Sequence, residues 1–345
     1  MMHAFLPEKK QGYCVAVVGA TGAVGETMLE ILAERAFPVA SIIPLASSRS
    51  AGSTVEFSGR DYVVQDLASF DPKNVDIALF SAGADTALTY APRFAEAGCY
   101  VIDNSSAWRM HDDVALVVPE VNPESLKMAR KNRIIANPNC STIQMVMALK
   151  PLHDAVPIKR VVVSTYQAVS GAGREAMTEL AEQTRNLLAG QAYDNQVFPA
   201  RIAFNVIPHI DVFLDNGYTK EEQKMIDETR KILAADIAVT ATTVRVPVFY
   251  GHSESINITF AAPMDAETAR MLLAEAEGIC VVDDPSGEDY PLPSEAAGTD
   301  AVWVGRIRND NSFKNSLHLW VVADNVRKGA ALNAVQIAEF LISRS

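Results

Sequence analysis

The stretch Asn137-Pro138-Asn139-Cys140-Ser141-Thr142 sets a cysteine on a polar turn just ahead of a run with helical apolar spacing. A sulfur at that junction meets the positive end of a helix, where a thiolate is favoured over a thiol. The same backbone N–H groups can stabilise an oxyanion on a carbonyl carbon bonded to the sulfur. Cys140 therefore reads as a nucleophile that forms an acyl–sulfur bond. The chain has four cysteines. Cys14, Cys99 and Cys280 lie in or beside β-rich apolar runs with no CxxC pairing, so they are expected to be small buried hydrophobes, with no disulfide framework and no metal site.

Thioester chemistry needs a group that moves protons, and there are six histidines. His3 belongs to the leading segment, His111 and His153 adjoin aspartates on expected surface segments, and His318 alternates within an apolar strand. His209 and His252 remain. His252 is the better placed, because Arg245 precedes it by seven residues. On one straight strand that odd separation would point the two side chains to opposite faces, so a bend at Pro247 or Gly251 is expected.

A second centre lies near the start of the chain. Gly19, Gly22 and Gly25 in GATGAVG follow an apolar strand and open a helix, the setting in which backbone N–H groups hold a pyrophosphate. The end of the next strand reads Ala46-Ser47-Ser48-Arg49-Ser50, with no acid to hold a ribose hydroxyl. A guanidinium at Arg49 flanked by hydroxyls, Ser47 among them, suits a 2′-phosphate, and NADP is expected over NAD.

Those centres need a scaffold. At 345 residues the chain is longer than one core usually supports, so two domains are expected. Apolar runs at 13–20, 39–48, 75–83 and 99–106 alternate with helical segments, which indicates a parallel sheet covered on both faces. After residue 157 the strands lengthen and alternate, as a mixed sheet with one covered face requires, with helices expected over 173–189, 219–235 and 265–277. The amphipathic run 327–343 is expected to return to the first domain. The fold class is thus α/β: a Rossmann-like dinucleotide-binding domain (1–138 plus 326–345) and an α+β catalytic and dimerisation domain (139–325) with a mixed sheet. A net charge of −12 argues against general affinity for nucleic acid or anionic membrane. No leader-like or spanning apolar run is seen, and a cytoplasmic location is expected.

Seven segments in order, GATGAVG, DNSSAWRM, NPNCSTIQ, STYQAVSGAG, KEEQK, RVPVFYGHSES and DNVRKGAALNAVQIAE, make the chain resemble the aspartate-semialdehyde dehydrogenases over almost its whole length. The resemblance implies NADPH-dependent reduction of aspartyl phosphate to aspartate semialdehyde and phosphate, on the route to lysine, threonine and methionine. It makes Cys140 the thioester nucleophile, His252 the acid/base and Gln167 the residue that orients the intermediate. Arg245 would hold the substrate carboxylate, Glu221 its ammonium, and Arg109 and Lys224 the phosphate. At the cofactor it implies Thr21, Gly22, Ala23 and Val24 at the diphosphate, Arg49 and Ser50 at the 2′-phosphate, Ser170 and Gly171 near the nicotinamide, and Asn325. The family also implies a homodimer, in some members a tetramer. N-acetyl-γ-glutamyl-phosphate reductases share the fold, the cysteine and NADP, but their substrate has no ammonium for Glu221.

Overall fold

A computed structural model of the chain describes residues 10–343; His3 lies outside them. Two compact units are present. One runs through Asn139 and resumes at Ala330; the other is Cys140–Gly329.

The first unit opens with β1 (Tyr13–Val18), α1 (Ala23–Glu34) and β2 (Val39–Ala46), then a hairpin of β3 (Thr54–Phe57) and β4 (Arg60–Val63). After β5 (Gln65–Asp66) come β6 (Ile77–Phe80), α2 (Ala84–Glu96), β7 (Tyr100–Asp103), β8 (Ala115–Leu116), α3 (Ala129–Asn132) and β9 (Ile134–Ala136). Seven strands form one parallel sheet in the order β5-β2-β1-β6-β7-β9-β8. Its central strand β6 is apolar and buried at every residue because both faces are covered. Val15, Val17, Leu79 and Ile102 share one core with Leu29 and Ile31 of α1. Each such side chain contributes about 1.5–3 kcal/mol by leaving water.

The second unit comprises α4 (Cys140–Ala155), β10 (Ile158–Gln167), α5 (Arg174–Leu188), α6 (Lys220–Leu233), β11 (Ala238–Arg245), β12 (His252–Phe260), α7 (Ala266–Ala274), β13 (Ile279–Val281), α8 (Pro293–Ala296), β14 (Val302–Asn309) and β15 (Ser316–Ala323). Its six-stranded sheet runs β11-β10-β12-β15-β14-β13; the two outer pairs are parallel and the inner pairs antiparallel. Alternation along β10 buries Val161, Val163, Thr165 and Gln167 on the face that α4 covers. Helix α4 is buried from Ser141 through Leu149, which is why its sequence shows little amphipathic contrast. The chain then returns to the first unit as α9 (Leu332–Ser343), where Leu332, Val335, Ile337 and Leu341 join the core with α1.

Two details differ from the sequence expectation. The second crossing between units falls at 329/330, not 325/326, because Asp324 accepts hydrogen bonds from the backbone N–H groups of Val326 and Arg327, and its carbonyl accepts one from Gly329. Those bonds fold residues 324–329 back onto the end of β15, and residues 327–331 form a π-helical turn before α9 begins. The cysteines also differ: Cys99 is buried, whereas Cys14 and Cys280 are only half-buried. Cys280 lies on the edge strand β13, where no residue is fully covered.

Candidate active site

Cys140 is the first residue of α4, a helix of 16 residues, and is half-buried. Its seat is tight on one side. A Cβ placed on Gly329 would lie 3.0 Å from the Cys140 Cβ, so Cys140 occupies the space that a side chain at residue 329 would need.

The expected bend between Arg245 and His252 exists and does more than turn a strand. Residues 246–251 separate β11 from β12, with Gly251 at φ +90°, and β10 runs between the two strands. Gln167, at the end of β10, is in register with Arg245. The seven-residue separation thus becomes a crossover, and both side chains reach Gly171: a Cβ there would be 3.0 Å from Arg245 Nη1 and 3.2 Å from His252 Nε2. Glycine at 171 keeps that space open.

His252 is 0% exposed. Its Nδ1 accepts a hydrogen bond from the Ala168 N–H at 3.0 Å, so the neutral ring carries its proton on Nε2. The Gln167 amide nitrogen is 3.4 Å from that Nε2; both atoms are donors in this tautomer, and the contact is not a hydrogen bond. Burial, and then the nearby Arg245 charge, hold the imidazole well below its ordinary value, so His252 is neutral at pH 7.

Arg245 is 5% exposed and donates from Nη1 to the Ala168 carbonyl at 2.6 Å, with its guanidinium over the Phe198 ring at 6.0 Å. Burial lowers its pKa, while Glu221 and Cys140 act in the opposite direction, as neighbours of the guanidinium. An arginine stays protonated through such a shift.

Helix α6 begins in a capping box between Thr219 and Glu222, which fixes the orientation of its first turn. From that turn buried Glu221 accepts from the Gln167 amide at 3.2 Å and pairs with Lys224 at 3.1 Å. Lys224 also pairs with Asp211 at 2.7 Å. Burial pulls the Lys224 pKa down, but Glu221 and Asp211 outweigh it and the net shift is upward. The i, i+3 pair that alone would read as a surface salt bridge is part of an inward network. His209 is elsewhere, stacked on the exposed Phe213 ring at 4.5 Å.

Ser170 and Asn325 are bonded to each other, Asn325 Nδ2 donating to Ser170 Oγ at 2.9 Å, and Asn325 Oδ1 accepts from the Gly251 N–H at 3.0 Å. They brace the same 246–251 segment that turns the chain toward His252.

In the first unit, Gly19 has φ +85°, and a side chain there would strike the Ser81 carbonyl; one at Gly25 would strike the Gly19 carbonyl. Gly22 caps α1. Gly19 and Gly22 border a cleft of about 530 Å³ lined also by Thr21, Ser47, Arg49 and Ser50; Gly25 lies behind the turn and does not line it. Ala23 and Val24 open α1; Val24 packs toward the core, and neither lines the cleft. Tyr90, Thr86 and Asp66 line it too, and sequence reading missed them because α2 and β5 carry no nucleotide motif. Exposed donors around a glycine turn fit a dinucleotide, and Arg49 fits a phosphate, with Asp66 the one carboxylate on the lining. Arg109 is buried and donates to the carbonyls of Asn137 and Asn104, both at 2.9 Å, beside the turn that leads into residue 140.

With this geometry in place, the comparisons are direct. Residues 14–129 match the family model "Semialdehyde dehydrogenase, NAD binding domain", and residues 149–328 match "Semialdehyde dehydrogenase, dimerisation domain". An aspartate-semialdehyde dehydrogenase of Aquifex aeolicus is 57% identical over 96% of this chain and 98% of its own. This chain belongs to the aspartate-semialdehyde dehydrogenase family. Among solved structures, aspartate semialdehyde dehydrogenase II from Vibrio cholerae, complexed with ASA, superposes with TM-score 0.95 at 54% identity, covering 97% of this chain and 99% of that one. The Candida albicans aspartate semialdehyde dehydrogenase with NADP gives 0.76 at 28% identity, covering 96% and 99%. Membership makes the chain an oxidoreductase of aldehyde chemistry built on an NAD(P)-binding domain and an α+β dimerisation domain with a mixed sheet.

Proposed function

We propose that the chain interconverts aspartyl phosphate and aspartate semialdehyde with NADP(H), through a thioester on Cys140, in amino-acid biosynthesis. The observation that carries this reading is the gathering, within Cys140–Gly329, of a helix-start cysteine, a buried neutral imidazole, a buried guanidinium and a carboxylate–ammonium pair.

In the oxidative direction the Cys140 thiolate adds to the aldehyde carbon, forming a C–S bond and placing charge on the former carbonyl oxygen. The Nε2–H of His252 can donate a hydrogen bond to that oxyanion, because Nδ1 is committed to Ala168. A bound NADP would supply the hydride acceptor, and loss of hydride from this carbon re-forms the C=O as a thioester on Cys140. Phosphate oxygen then attacks the thioester, and the C–S bond breaks to return the thiolate. Arg245 holds the substrate carboxylate in a planar fork, and Glu221 its ammonium, with Gln167 bonded to Glu221 to fix that carboxylate. Lys224 and Arg109 supply positive charge for phosphate. Thr21, Gly22 and the first N–H groups of α1 would hold the diphosphate, with Arg49, Ser47 and Ser50 at the 2′-phosphate.

Two copies would join through the second unit, whose family model is a dimerisation domain. The test is oxidation of aspartate semialdehyde, read as NADPH absorbance. Turnover should require both phosphate and NADP. Turnover of N-acetylglutamate semialdehyde with none of aspartate semialdehyde would overturn the reading.

A further inference from the structure

Glu254 stands two residues after His252 on β12, so its side chain points to the same inward face, and it is 0% exposed. No donor among the described residues bonds either carboxyl oxygen, although a buried carboxylate normally collects several. Its neighbours are uncharged: Thr165 opposite it on β10, Val321 opposite it on β15, Ile256 and neutral His252 along its own strand, and Gln144 from α4. Gln144 is the polar group that interacts with it.

Gln144 has the complementary defect. Its Nε2 donates to the His252 carbonyl at 3.3 Å, which fixes the amide's orientation, while its Oε1, equally buried, has no donor. One added proton turns one of these oxygens into a donor for another, leaving a single carboxyl oxygen of Glu254 without a partner. A carboxylic O–H on Glu254 can donate to the Gln144 amide oxygen, which a carboxylate cannot do. Gln144 also lies one helical turn beyond Cys140 on α4, so this amide ties the cysteine's helix to the histidine's backbone.

We propose that Glu254 is a positioning residue: a neutral carboxylic acid that donates a hydrogen bond to Gln144 and so locks the strand bearing His252 to the helix bearing Cys140. The positioning part rests on the catalytic reading of those two residues; the protonation part does not. Burial, against a small opposing effect of Gln144, raises the Glu254 pKa well above the ordinary carboxyl range, in keeping with the geometry. The linkage has a definite sign. Between the unfolded value of about 4.3 and the folded one, only the folded state holds this proton, so its contribution to stability falls about tenfold in the folding constant per pH unit as pH rises. E254Q keeps the shape and the donor but cannot ionise.

The full-length protein should show, at neutral pH, the infrared carbonyl stretch of a protonated carboxyl, shifted in D₂O and missing in E254Q. The Tm of E254Q relative to wild type should rise with pH above the unfolded carboxyl value of about 4.3. In turnover, E254L should lose about tenfold or more in kcat with little change in the KM for NADP, and E254Q should recover most of it. Lack of the infrared band would overturn the protonation. Equal kcat in E254L and wild type would overturn the positioning role. The infrared and Tm readings hold even if the substrate assignment fails, so the two failures are distinguishable.

Discussion

The nucleotide cleft and the reactive cluster are built on opposite principles. The cleft is made of backbone and space: Gly19 and Gly25 admit close approach, and its one cationic side chain, Arg49, is exposed and stands on a turn after β2. The cluster is made of buried side chains that hold one another: Glu221 accepts from Gln167 and pairs with Lys224, while Ala168 clamps His252 through its N–H and Arg245 through its carbonyl. Exposed groups are screened and act almost independently, whereas buried groups leave uncompensated partners when one is removed. Substitutions in the cleft should therefore tune selectivity, and those in the cluster should abolish chemistry.

The largest effect is expected at the sulfur. Cys140→Ser should lower kcat by about a thousandfold or more while NADP affinity, measured by fluorescence titration, stays near wild type. A variant that kept a tenth of wild-type turnover would break the contrast between the regions.

Arg245→Lys comes next. Lysine keeps the charge but not the fork, so kcat/KM for aspartate semialdehyde should fall about a hundredfold, and the Ala168 carbonyl loses its donor. Steady-state kinetics with each substrate varied would show whether the loss is confined to the amino-acid side.

In the cleft, Arg49→Ala should raise the KM for NADP about tenfold and leave that for NAD nearly unchanged, with the difference shrinking as salt is added. Equal effects on both cofactors would mean that Arg49 does not meet the 2′-phosphate.

The smallest effect sharpens the comparison within the cluster. Gly329→Ala puts a methyl 3.0 Å from the Cys140 Cβ and 3.4 Å from its Cα, so the helix start must yield by a few tenths of an ångström. A drop of about threefold to tenfold in kcat, with the KM for NADP unchanged, is expected because reacting atoms tolerate little displacement. An unchanged kcat would show that residue 140 is not held from that side.

The two regions also differed in how far the sequence revealed them. The glycine turn, Cys140 at a helix start and the bend before His252 follow from local rules, since Gly, Pro and helix-opening patterns act over a few residues. The parallel first sheet and mixed second sheet follow from continuous against alternating strands. What periodicity does not carry is long-range register. That β10 comes between β11 and β12, bringing Gln167 level with Arg245, depends on strand order. Glu254 and Gln144 carry no local signal of their own, and only the fold brings them together. Asp211 and Tyr90 sit on segments with no motif, and no local signal marks them.

The central claim, that Cys140 carries the acyl group, can be met directly by mass spectrometry of the enzyme after aspartate semialdehyde and NADP are added without phosphate. One aspartyl group should be found on the peptide that contains Cys140, and it should vanish when phosphate is supplied. Full phosphate-dependent turnover with no adduct, or an adduct on another residue, would contradict the account.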